Sequence, residues 1–141
     1  MTNEGCDILL IEDDPDDAEL ILRVLRKNIA NKLLHLDDGG NALTHLFSLT
    51  EEKFPKLILL DLKMPRIDGI EVLKRLKQDD LRKNIPVIVM ISSDGGKNYV
   101  ESRNVSADAY ILKPLNFEAL IQATIKANLS WAVLSRPPMN V

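Results

Sequence analysis

The sequence predicts an α/β domain: a parallel sheet with helices on both faces. Three observations predict it. Five short apolar runs alternate with segments of helical period. Each run is apolar at odd and even positions alike, as a strand buried on both faces must be. The acidic, hydroxyl and lysine residues suited to chemistry come just after the runs, not inside them. In open parallel sheets ligands bind there, beyond the carboxyl ends of the strands and at the switch point of the strand order.

The first run, "DILLI" (7–11), reads as a buried strand. A helix over 15–28 follows, with Leu20, Ile21, Val24 and Leu25 on one face and Pro15, Asp16 and Asp17 in its first turn. "LLHL" (33–36) is a weaker second strand. "DGG" (38–40) then punctuates the chain before a helix burying Ala42, Leu43, Leu46 and Phe47. "KLILLD" (56–61) is the third strand, and Gly69 opens a helix with Ile70, Leu73, Leu76 and Lys77 at 3–4 spacing. "PVIVMI" (86–91) is the fourth strand. The segment 95–104 offers only Tyr99 and Val100 for burial, so a helix there is expected to be loosely held. "DAYIL" (108–112) is the fifth strand, and Asn116 caps a last helix carrying Phe117, Leu120, Ile121 and Ile125.

A length of 141 residues suits one domain. A chain of that size buries roughly two thirds of its unfolded surface, so it folds without disulfides or structural metal. Apolar residues make up 45% and charged residues 28%, and the net charge is -3, which argues against nucleic acid as the partner. The single cysteine, Cys6, has no internal partner and fits a reducing compartment. No apolar run is long enough to span a membrane and no secretion leader is read, so the expected location is the cytoplasm, with no membrane contact.

Glu12, Asp13 and Asp14 follow the first strand, Asp61 the third, Ser92 and Ser93 the fourth, and Lys113–Pro114 the fifth. If the first and third strands are neighbours, Glu12, Asp13 and Asp61 share one crevice. Three carboxylates that close repel one another and raise each other's pKa, and a divalent cation removes the conflict. An all-oxygen set points to Mg²⁺ or a similar hard ion and away from zinc. Lys113 then faces the same crevice as an anion-binding group. Carboxylate, hard metal and lysine are the parts needed to move a phosphoryl group. Taken singly, Asp13 or Asp14 is equally a helix cap, and Lys113 a solvated lysine. It is their convergence on one sheet edge that points to function.

These residues resemble the receiver domain of a two-component response regulator, over roughly residues 7–128. "LLIEDD" is similar to that family's acidic pair, "LLDLKMPRIDG" to its phosphoacceptor motif and "AYILKP" to its aromatic and lysine–proline motif. The resemblance implies a flavodoxin-like (βα)5 sandwich with strand order 2-1-3-4-5, a receiver over 5–128, and a helical extension and tail over 129–141. It implies that Asp61 accepts a phosphoryl group from a histidine kinase and that Glu12, Asp13, Asp61 and the Lys63 backbone carbonyl hold Mg²⁺, Asp13 and Asp61 directly and the longer Glu12 by way of water. Lys113 would contact a phosphoryl oxygen, the Lys113–Pro114 bond would be cis, and Tyr110 would be the aromatic that moves inward on activation.

The chain departs from the family at one place. A threonine or serine usually ends the fourth strand, five residues after the proline and 22 before the lysine, and both counts land on Ile91. The hydroxyls of "MISS" come late. A local shift bringing Ser92 into the role, phosphorylation with an altered switch, and a pseudo-receiver acting as a phosphorylation-independent binding module all remain open.

The tail, with Trp131 and then "RPP", resembles the small regulators paired with bacterial phytochromes. That implies a homodimer through the last helix and its neighbours, with Leu129 and Trp131 on the surface, and signalling through protein contacts. Two other classes fit poorly. A flavodoxin needs a hydroxyl-rich phosphate loop where this chain has "EDDPDD", and a haloacid-type phosphohydrolase needs an acid where it has Lys63. His35 and His45 read as ordinary surface or edge residues.

Overall fold

The apolar runs pair as parallel strands. In a computed structural model, residues 5–62, 69–93 and 95–127 are described. The elements are β1 (Ile8–Ile11), α1 (Pro15–Asn28), β2 (Leu33–Leu36), α2 (Gly39–Ser48), β3 (Leu57–Asp61), α3 (Gly69–Gln78), β4 (Val87–Ile91), α4 (Gly95–Glu101), β5 (Ala109–Leu112) and α5 (Phe117–Lys126). A short 3-10 turn at Glu51–Lys53, not expected from the sequence, precedes β3. The sheet order is β2-β1-β3-β4-β5. All four pairings are parallel, with Leu10 beside Leu59 and Asp61 beside Met90. The described residues thus form a five-stranded flavodoxin-like sheet with five α-helices.

Strand alternation divides the interior into two cores. Ile8, Leu10, Leu57, Leu59, Ile88, Met90 and Ile111 face α1 and α5. Leu9, Ile11, Ile58, Leu60, Val87, Val89 and Ile91 face α2, α3 and α4. β1, β3 and β4 are buried throughout, which is why their sequence shows no polar alternation.

Helix starts follow from side-chain caps. Asp14 Oδ1 accepts the N–H groups of Asp16 and Asp17, Asp38 that of Asn41, and Asn116 that of Ala119. α1 buries Ala18, Ile21 and Leu25, but Leu20 points outward and is 53% exposed. Phe47 also lies outside the core at 42% exposure, because it packs under the buried Arg82 guanidinium, 4.4 Å from its ring centroid. Arg82 Nε donates to Leu46 O at 2.9 Å and its Nη2 to Leu49 O at 3.2 Å, satisfying carbonyls at the end of α2. On α5 the buried positions are Leu120, Ala123 and Thr124, while Ile125 is exposed. α4 has seven residues and buries Val100 alone; Tyr99, the other residue the sequence offered for burial, is exposed. No helix among the described residues is long and apolar enough to cross a membrane.

Candidate functional site

The same alternation that sorts the core aims the charged residues. Glu12 continues the Ile8–Leu10 row, Asp61 the Leu57–Leu59 row and Lys113 the Ala109–Ile111 row. All three therefore arrive at the carboxyl edge on the α1/α5 side. Backbone bonds carry the ladder to that edge: Glu12 N–H donates to Leu36 O at 3.1 Å and Lys113 N–H to Ile91 O at 2.8 Å. The Lys113–Pro114 peptide is cis.

Lys113 lies at the centre of the group. Its Nζ is 2.8 Å from Glu12 Oε1, 3.1 Å from Asp61 Oδ1 and 3.1 Å from Asp17 Oδ2. Glu12 is 0% exposed and Asp61 4%, so both carboxylates are withdrawn from water. Burial pushes the Glu12 carboxyl up to about 7, and nearby Asp61 adds to the rise against the pull of Lys113. For Lys113, burial opposes the charged form, but its bonds to Glu12 and Asp61 outweigh that and raise its pKa above the ordinary lysine value.

Glu12, Asp13 and Asp61 each offer a carboxylate oxygen, and these lie within 4.8 Å of one another. The donor set is all oxygen and anionic. It fits a hard divalent ion, and the raised Glu12 marks the repulsion that such an ion would relieve.

Two residues at this edge escaped the sequence analysis. Asp17, assigned to the helix dipole, turns to Lys113 instead. His35, taken for an ordinary edge residue, hydrogen-bonds through Nε2 with the Glu12 carbonyl at 2.8 Å, fixing the backbone beside the acids. Asp17 was partly legible: it lies one helical turn before the buried Ile21, on the side of α1 that faces the sheet. Nothing in the sequence marked His35.

The response regulator receiver domain model matches residues 8–125. The chain is 36% identical over 128 residues to the response regulator Rcp1 of Synechocystis sp., covering 88% of this chain and 87% of that protein. Among solved structures, the bacteriophytochrome response regulator AtBRR superposes with a TM-score of 0.82 at 34% identity, covering 98% of this chain and 99% of that one. The Mn²⁺-bound form of Rcp1 gives a TM-score of 0.67 at 32% identity, covering 95% and 98%. This chain belongs to the response regulator receiver family.

The place where the receiver pattern fails lies on the other side of the sheet. Ile91 ends β4 and is 6% exposed within the α2/α3/α4 core. A Cβ on Gly96 would come within 2.6 Å of Ile91 Cγ2 and 2.7 Å of its Cβ, so the first turn of α4 is seated directly on the isoleucine. Ser92 and Ser93 lie beyond the strand and are exposed. Tyr110, half-buried, packs on the same core as Ile91. Its hydroxyl accepts the Ala107 N–H at 3.1 Å, and Lys97 Nζ sits 5.8 Å from its ring centroid. Lys63, Leu129 and Trp131 lie outside the described residues.

Proposed function

We propose that this receiver accepts a phosphoryl group on Asp61 from a histidine kinase, in a Mg²⁺-dependent reaction, and signals by protein contacts. The observation that carries this reading is the Lys113 ammonium 3.1 Å from Asp61 Oδ1, beside the three-carboxylate cluster. In the transfer, an Asp61 oxygen attacks phosphorus, the donor's P–N bond breaks and the P–O bond forms, and the released imidazole takes up a proton. Lys113 neutralises charge building on a phosphoryl oxygen. Glu12, Asp13, Asp61 and the Lys63 carbonyl would hold Mg²⁺, which supplies charge neutralisation at the phosphoryl oxygens.

A phytochrome-type kinase is the proposed donor, on the likeness to the bacteriophytochrome response regulator AtBRR. A homodimer through the last helix and its neighbours is supported by the exposed apolar side chains Tyr99, Leu112 and Ile125 on α4, β5 and α5. The proposed location is the cytoplasm, where such kinases present their phosphohistidine.

Intact-mass spectrometry with acetyl phosphate and Mg²⁺ tests the reading. The parent is expected to gain one phosphoryl group and Asp61→Asn none. No gain in the parent, with Mg²⁺ binding intact, would leave a pseudo-receiver that binds partners without phosphorylation.

A further inference from the structure

Among the described residues Lys113 has three carboxylate partners, and two of them belong to the acid cluster. Glu12 and Asp61 lie in that cluster with Asp13; Asp17 does not. Asp17 comes from α1, where its own N–H is held by Asp14 Oδ1. Its neighbour Asp16 is exposed, as a first-turn acid serving only the helix dipole would be. Asp17 is instead half-buried with its Oδ2 3.1 Å from Lys113 Nζ. Ala18 and Ile21, buried against the sheet, set the rotation of α1 that brings it there. Asp17 and Lys113 also border a cavity of about 280 Å³, lined by Leu20, Ile21, Pro114 and Leu115, into which an untethered lysine side chain has room to swing.

An ammonium has three N–H donors. We propose that Asp17 is a positioning residue: with Glu12 it occupies two donors of Lys113, so that the third points at Asp61 Oδ1, where the phosphoryl group forms. The flexible four-carbon stem of lysine does not set that direction by itself. Two flanking carboxylates do so at the moment of transfer, and they keep the side chain out of the adjoining cavity. When a phosphoryl oxygen takes the place of Asp61 Oδ1 as the third acceptor, the Glu12 and Asp17 contacts persist. This inference rests on the phosphoryl chemistry proposed above.

The test measures the rate of phosphorylation by acetyl phosphate, and the Mg²⁺ dissociation constant by calorimetry, for the parent, Asp17→Ala, Asp17→Asn and Asp17→Glu. Asp17→Ala is expected to slow phosphorylation about ten- to a hundredfold, up to the scale of a catalytic group misplaced by about 1 Å, with Mg²⁺ affinity unchanged. Asp17→Asn keeps an acceptor and should fall between, and Asp17→Glu should recover most of the rate. Parental rates in both Asp17→Ala and Asp17→Asn would overturn the role. So would faster reaction, which would mean that Asp17 competes for the ammonium, or a parallel loss of Mg²⁺ affinity. A parent that takes up no phosphoryl group would instead defeat the functional reading itself.

Discussion

The carboxyl edge of the sheet carries two neighbourhoods of opposite character, one on each face. On the α1/α5 face, buried Glu12 and Asp61 converge with Asp17 on one ammonium. On the α4 face, Ile91 packs against the Gly96 backbone within an apolar core that Tyr110 joins. Strand alternation keeps the two apart, so a substitution on one face can leave the other intact. One ammonium does not offset two buried carboxylates, and the raised Glu12 carboxyl marks the remaining cost, so the first neighbourhood is maintained against stability. The second follows the ordinary logic of packing. The difference teaches that the acid edge and the seat of α4 are separable pieces of structure.

Changing pH probes the charged face, with the largest expected effect. The Glu12 carboxyl is raised from 4.5 to about 7 by burial, so the folded protein holds a proton there that the unfolded chain has already released. Between those values the unfolded state binds fewer protons, and the Glu12 contribution to stability falls as pH rises. It is fully lost above about pH 7. Without metal, Glu12→Gln should therefore remove a destabilisation of about 2 to 3 kcal/mol at pH 8 and change little at pH 5. Denaturant melts in EDTA at the two pH values check this. Mg²⁺ needs the ionised carboxylate, so its affinity should drop up to about tenfold per unit below pH 7 and level off above. A flat profile from pH 5 to 8 would contradict the placement of Glu12 in the metal set.

The apolar face is probed by overpacking. Gly96→Ala places a methyl against Ile91 and should cost about 1 to 3 kcal/mol. In the Ile91→Ala background the same change should cost much less, a coupling that a double-mutant cycle in urea reads directly. Additive effects would mean that α4 is not seated on Ile91.

The sequence made the fold legible because β1, β3 and β4 are buried on both faces and so carry no competing polar pattern. Asp61, Glu12, Asp13 and Lys113 were legible because each ends or follows an apolar run. Leu20 and Phe47 were misplaced, since helical period cannot tell a core position from one that lines a cavity or stacks under Arg82. His35 was invisible because its role rests on the β1–β2 register, which brings it beside Leu10 and within reach of the Glu12 carbonyl. The seat of Gly96 on Ile91 likewise joins two elements whose angle no local pattern encodes.

The separability of the two faces is tested most directly by amide NMR spectra recorded with and without Mg²⁺ and beryllofluoride, a phosphoryl mimic. The account predicts large shifts for Glu12, Asp13, Asp17, Asp61 and Lys113, and small ones for Gly96, Val100 and Tyr110. Shifts at Gly96 and Tyr110 as large as those at the acid edge would contradict it, showing that Ile91 transmits what the usual hydroxyl transmits.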